Sequence, residues 1–294
     1  METPPCPRAV AGTTSSDPEP NQVYWSMEAL IDIRRDIGAA NSINRSVDQY
    51  KPRPGEGPPM KRARVRTADG VREGEYDDGV VATDNGEYAV GEDAELLAPC
   101  EPGTFYCVGR NFVETLDQMD YDVPDEPDWF IKPAVSVHHP GDPIPHPPWT
   151  DELTYAGELA AVVDETCTDL DGEGEVREAL RGWTILNDLD ALDQPGRTAR
   201  KAFDGSAPLG PVLETDLDPR GIDMETHVAG EKRQEANTEL MIFDPHETLA
   251  FLSKRYTFRP GDVVSFGSPA NPGLLEPGDD VEIWYEGIGT LQNT

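Results

Sequence analysis

Residues 149–211 read WTDELTYAGELAAVVDETCTDLDGEGEVREALRGWTILNDLDALDQPGRTARKAFDGSAPLGP, and this stretch decides the fold. It parses as strand, turn, short helix, strand and then a loop rich in charge. Residues 155–163 form an extended apolar run that carries a single carboxylate, Glu158. Residues 182–188 give a second strand that ends on another carboxylate, Asp188, and Lys201 follows in a loop closed by Pro208-Leu-Gly-Pro211. Two carboxylates at strand positions with a lysine nearby suit a hard divalent cation and an oxyanionic substrate. Oxygen donors favour Mg²⁺, Mn²⁺ or Ca²⁺ over zinc.

Working outward, the chain stays strand-rich. Downstream, residues 221–232 predict a strand pair. Residues 244–255 carry the clearest helix signal, with Asp244 as N-cap, Pro245 at the first helical position and Glu247 at capping-box spacing. Pro260-Gly-Asp and Pro277-Gly-Asp turns then separate further strands, the last alternating polar and apolar over 281–289. Upstream, residues 60–98 predict a small N-terminal β domain. Its runs 63–67, 71–76, 80–83 and 87–90 are divided by turns at Asp69-Gly70, Asp78-Gly79 and Asn85-Gly86. Residues 104–109 and 129–133 read as strands of the main domain, 99–294, and 114–128 as an acidic loop. His138, His139 and His146 fall in a Pro-rich connection and read as surface residues. The class is mainly β (α+β) with few, short helices.

The 294 residues suffice for one large domain or two smaller ones. Residues 1–59 are polar and Pro-rich and predict a disordered, low-complexity extension, with a short amphipathic helix over 23–37 and a linker over 50–59. Met60 stands directly before the first strand and reads as the translation start, which makes 1–59 an upstream extension; the competing reading is a genuine flexible tail. The formal net charge is −33, and only six of the 24 basic residues are lysine. Acids spread along the chain with few lysines suit solubility in molar salt, where self-repulsion is screened. The expectation is a cytoplasmic protein of a salt-accumulating organism. A phosphate backbone needs a basic face, so no nucleic-acid partner is expected. No run approaches the roughly 18 apolar residues of a membrane span, and no membrane association is expected. The four cysteines show no CxxC spacing and read as reduced thiols.

Taken together, an ordered series of motifs resembles the fumarylacetoacetate hydrolase family over about residues 60–294: Cys107-Val-Gly-Arg-Asn-Phe112, Phe130-Ile-Lys-Pro133, Tyr155-Ala-Gly-Glu-Leu159, Gly182 to Asp188, Lys201-Ala-Phe-Asp204 with Pro208-Leu-Gly-Pro211, Arg233-Gln-Glu-Ala-Asn-Thr238, Pro260-Gly-Asp-Val-Val264 and Gly287-Ile-Gly-Thr-Leu291. None is specific alone; their order and spacing are. The resemblance implies a mixed β-sandwich roll, a homodimer, and a divalent metal, typically Mg²⁺, held by three carboxylates. It implies small keto-acid substrates, with hydrolysis of a C–C bond in a β-diketo or 2-keto acid as the default reaction. The alternatives are a keto-sugar-acid dehydratase or isomerase, or a catalytically impaired member with a ligand-binding or structural role. The charge marks a haloarchaeal-type acidic member.

Residue by residue, Glu158 matches the second glutamate of the family's Glu-x-Glu metal pair, Asp188 the aspartate ligand and Lys201 the active-site lysine. Gln234 and Asn237 fall in the segment that lines the far wall of the site. Ser268 takes the place of a threonine that holds the substrate carboxylate. Four positions depart. Ala156 stands where the first metal glutamate is expected, which weakens the metal site. Thr115 replaces the catalytic histidine, Gln118 the glutamate that orients it, and Leu192 an arginine. Glu152 shares the strand face of Ala156 but lies too far along to replace it without a bend.

Overall fold

The computed structural model describes residues 60–119, 121–270 and 272–294. The expectations for residues 1–59 lie outside them. Five strands open the described chain: β1 (Lys61–Thr67), β2 (Gly70–Asp77), β3 (Val80–Thr83), β4 (Gly86–Ala89) and β5 (Ala94–Leu97). The predicted Asx-Gly turns are all present. Between β2 and β3, Asp77 pairs with Val80 across a two-residue loop in which Asp78 (φ 42°) and Gly79 (φ 84°) are both left-handed. That is the primed turn whose twist matches the flanking strands. At the other two turns a threonine closes the loop. Thr67 and Thr83 donate to the carbonyls of Gly70 and Gly86 and accept from the amides of Asp69 and Asn85.

Next come β6 (Thr104–Gly109), helix α1 (Val113–Met119), β7 (Asp128–Pro133), β8 (Val137–His138), β9 (Leu153–Thr154) and β10 (Gly157–Val163). Helix α2 (Gly172–Ala179) leads into β11 (Leu180–Asn187), β12 (Asp190–Ala191), the one-turn α3 (Arg197–Lys201) and β13 (Ala207–Glu214). The chain ends with β14 (Asp223–Val228), β15 (Glu231–Asn237), α4 (Pro245–Ser253), β16 (Val263–Ser265), β17 (Val281–Tyr285) and β18 (Gly289–Asn293). As predicted, Asp244 caps α4, accepting from the His246 amide at 2.8 Å, with Pro245 at the start of the helix. Among the described residues, no helix is long and apolar enough to cross a membrane.

One large sheet runs β4-β3-β2-β1-β13-β11-β10-β16-β6-β7, with β5 also on β1 and β8 also on β13. A four-stranded sheet, β15-β14-β17-β18, packs against it. Strand periodicity divides the large sheet into two buried faces. On β10, Leu159, Ala161 and Val163 join the inter-sheet core with Met224, Ile283, Tyr285 and Leu291, while Ala160 and Val162 point the other way, into a second cluster with Phe105, Cys107, Leu186, Leu209 and Val263. Gly157 on β10 lies directly against β14 and β17 of the second sheet. A Cβ there would lie 2.6 Å from Thr226 Oγ1, so any larger residue would push the sheets apart.

Three local readings are corrected. The acidic segment is not all loop. Its first turns form α1, because Val113 and the buried Leu116, three residues apart, face the core beside Phe112. The charged segment before Lys201 forms α3. Pro208-Leu-Gly-Pro211 does not close a loop but lies within β13, where Leu209 pairs with Leu186 and Gly210 with Ile185.

Candidate active site

Register alone brings the site together. Glu158 shares the face of Ala160 and Val162 on β10. Ala160 is opposite Ser265 on β16, Ser265 opposite Cys107 on β6, and Cys107 opposite Phe130 on β7. Lys132 follows Phe130 by two residues and stands opposite Phe105. Glu158, Ser265, Cys107, Phe130 and Lys132 therefore face one side of four adjacent strands, the side away from the inter-sheet core. β11 adds Asp188 just past its last ladder pair, Gly157 with Asn187, where the Asp188 amide donates to the Ala156 carbonyl at 2.9 Å.

Glu158 is 3% exposed. Its Oε2 accepts from Ser265 Oγ at 2.5 Å and from the Gly267 amide at 3.2 Å. Gly267 is left-handed (φ 86°), and a Cβ there would lie 3.0 Å from Asn111 Cβ, so the turn that aims its amide needs glycine. Asn111 fixes the turn from below, donating to the carbonyls of Phe266 and Phe243 and accepting from the Phe243 amide. Burial first, and the Asp188 charge second, push the Glu158 carboxyl up to about 8; its two hydrogen bonds and Lys201 oppose the shift.

Asp188 is 2% exposed and has an ammonium on each oxygen. Oδ2 accepts from Lys201 Nζ, and Oδ1 lies 2.7 Å from Lys132 Nζ, at an angle outside hydrogen-bond geometry. Burial pushes Asp188 up, but the two lysines outweigh it and hold it below the ordinary carboxylate range. Lys132 is fully buried and donates to the carbonyls of Leu189 (3.0 Å) and Ser206 (2.6 Å). Burial lowers its pKa against the pull of Asp188. Lys201, the last residue of α3, lies 3.3 Å from Asp190 Oδ2 and 5.3 Å from the Phe130 ring centroid. Burial works to discharge it, but Asp188 and Asp190 together prevail and keep it protonated. Asp190 is in turn gripped by the Arg200 guanidinium at 2.8 and 2.6 Å.

The far wall is built on Gln234. Its side-chain amide donates to Ser268 Oγ (2.8 Å) and the Pro269 carbonyl (2.9 Å), and its carbonyl accepts from the Gly157 amide (3.3 Å), next to Glu158. Asn237 has another job. It donates to Asp223 at 2.6 Å and accepts from the Glu239 amide at the start of a one-turn helix, Thr238–Leu240, so its contacts lie apart from this cluster. The three histidines bond within their own connection or, for His139, to the Ala98 amide. Glu152 is exposed, and its carbonyl accepts from the amide of Leu192, itself 42% exposed.

The departures have structural consequences. Thr115 Oγ1 donates to the Ser268 carbonyl at 3.0 Å, bracing the wall with a group that is no base at neutral pH. Among the described residues, no three His, Cys, Asp or Glu side chains are grouped so as to hold a metal ion. The sequence reading left Lys132, Ser265 and Asp190 without roles. Lys132 carried a signal, as the only basic residue in the otherwise apolar run Trp129-Phe-Ile-Lys-Pro133.

The family model "Fumarylacetoacetate (FAA) hydrolase C-terminal" matches residues 104–294. The chain is 34% identical over 204 residues to the oxaloacetate tautomerase YisK of Bacillus subtilis, covering 64% of this chain and 67% of that protein. It superposes on a crystal structure of 5-carboxymethyl-2-hydroxymuconate delta-isomerase from Mycobacterium smegmatis with a TM-score of 0.72 and 34% identity, over 80% of this chain and 97% of that one. It superposes on a fumarylpyruvate hydrolase from Pseudomonas aeruginosa in complex with Mn²⁺ and pyruvate with a TM-score of 0.62 and 27% identity, over 69% and 92%. Relatives of this kind are enzymes. With the match spanning most of the described residues and the site built on its strands, the chain belongs to the fumarylacetoacetate hydrolase family.

Proposed function

We propose that this protein interconverts the keto and enol forms of a small 2-oxo acid, an isomerase or tautomerase reaction, rather than hydrolysing a C–C bond. The carrying observation is that Lys201, kept protonated by Asp188 and Asp190, also feels the charge of Glu158, while Thr115 and Gln118 occupy the positions where the family resemblance places a water-activating base. Hydrolysis without its general base forfeits roughly 10²–10⁴ in rate. Keto–enol interconversion needs less: one proton leaves C3 and one joins the C2 oxygen. Lys201 donates to that oxygen and stabilises the charge that develops on it. Glu158, which no ammonium contacts among the described residues, accepts the C3 proton in its ionised form, so the rate rises as pH climbs toward about 8. Ser268, aligned by Gln234, holds the substrate carboxylate. Among its relatives, YisK is named an oxaloacetate tautomerase and the M. smegmatis structure an isomerase.

A divalent ion does not fit the residues present. Both oxygens of Asp188 face ammonium groups, and Oε2 of Glu158 is taken by Ser265 and Gly267. Where Glu158 keeps its proton, Asp188 alone faces the Lys132 and Lys201 ammoniums, which leaves no negative charge to draw a cation in. The test is the loss of enol absorbance in oxaloacetate, followed in molar KCl. Ketonisation well above the buffer rate that disappears in Lys201→Met supports the reading; a rate equal to buffer, or unchanged in Lys201→Met, refutes it.

A further inference from the structure

The missing third carboxylate has a defined place in the ladder. Continuing the register past Gly157 and Asn187 sets Ala156 opposite Asp188, and the Asp188 amide bonds to the Ala156 carbonyl at 2.9 Å. Directly opposed residues on one face have Cβ atoms about 4.5–5.5 Å apart. By period two, Ala156 also shares the face of Glu158. Positions 156, 158 and 188 thus form one triangle on one face, and the corner nearest both carboxylates is a methyl group. Ala156 is partly exposed, so that corner opens toward solvent. The carboxylate next to it is faced on both oxygens by lysines, one of them fully buried with its hydrogen bonds given to the carbonyls of Leu189 and Ser206. Of the two, only Lys201, whose side chain is 15% exposed, is left to meet a ligand.

We propose that this site takes the oxygens of a 2-oxo acid directly on Lys201 and Ser268, with no divalent ion between ligand and protein, and that Ala156 withholds the third carboxylate a cation would need to compete with the two lysines for Asp188. The inference rests on the 2-oxo-acid reading above. Lys132 is the fixed counter-charge of Asp188, and Lys201 contributes the mobile positive contact.

Oxalate serves as the probe, because its adjacent carboxylates imitate the carboxylate and enolate oxygens of a 2-oxo acid. The full chain is stripped with EDTA and titrated with oxalate in molar KCl by calorimetry; Mn²⁺ binding is followed separately by its paramagnetic resonance signal. Wild type is expected to bind oxalate equally with and without Mn²⁺ and to show no saturable Mn²⁺ binding at millimolar ion. Lys201→Met is expected to weaken oxalate about 10- to 100-fold, as for loss of a charge-assisted hydrogen bond. Ala156→Glu is expected to acquire stoichiometric Mn²⁺ binding. Should that variant not fold, judged by its circular dichroism, Ala156→Asp carries the same test. Oxalate binding that requires Mn²⁺, or saturable Mn²⁺ binding by wild type, overturns the inference and leaves the 2-oxo-acid reading standing. No oxalate binding under either condition overturns the 2-oxo-acid reading itself.

Discussion

Replacing Glu158 by glutamine isolates the energetic cost of the site. The glutamine keeps the shape of the protonated carboxyl and still accepts from Ser265 and Gly267, but it does not ionise. In the wild type the carboxyl rises from 4.5 to about 8 on folding, driven first by burial and then by Asp188. A carboxyl raised in the folded state keeps a proton that the unfolded chain has already released. Its contribution is therefore most favourable below about pH 4.5 and is lost progressively as pH climbs toward 8. The rise from 4.5 to about 8, at about 1.4 kcal/mol for each tenfold change, sets a ceiling near 5 kcal/mol. Denaturant unfolding of both proteins in molar KCl, at steps from pH 5 to 9, measures it. The variant should lie within about 1 kcal/mol of the wild type at pH 5 and become more stable by a few kcal/mol at pH 8.5. Parallel curves across that range would refute the reasoning.

Other predictions concern separate parts of the fold. Lys132→Met leaves Asp188 a buried, half-paired charge and should cost about 3–5 kcal/mol of stability by denaturant titration. Gln234→Leu unties the Ser268 wall from Gly157 and should raise KM for oxaloacetate more than it lowers kcat, with about 1–3 kcal/mol lost from stability. Asn237→Ala removes a cap on the Glu239 amide and should cost about 1 kcal/mol, read from the shift in Tm. With a formal charge of −33, Tm should climb steeply as KCl rises from 0.1 M toward 2 M; a flat response would remove the salt-adaptation reading.

Much of this architecture was legible in the sequence where backbone chemistry is local. The Asx-Gly hairpins of β1–β4 and the Asp244-Pro245 start of α4 declare themselves within a few residues. Glu158 and Asp188 were legible as a pair because charged residues in otherwise apolar strands need a reason to be there. What stayed hidden depends on distant register. Lys132 stands out locally as the one basic residue of an apolar run, but its partner does not. Only the alignment of β7 with β6, β16 and β10 places it beneath Asp188. Prolines made 208–211 read as loop, since proline gives no ladder donor, yet β13 seats them beside β8 and β11. Asn237 was assigned by its place in a motif, and a motif does not show which way an amide points. Helix α1 was masked by its acids, though Val113 and Leu116 supply the buried stripe.

The central claim, that Lys201 and Glu158 move a proton at C3 of a 2-oxo acid without cleaving carbon from carbon, meets its most direct test in D₂O. Proton magnetic resonance of oxaloacetate and of an acylpyruvate, each incubated with the EDTA-treated protein, follows both fates together. The account predicts rapid loss of the C3 proton signal of oxaloacetate, abolished in Lys201→Met, and no carboxylic-acid fragment from the acylpyruvate. Release of pyruvate from the acylpyruvate, or C3 exchange no faster than in buffer, would contradict it.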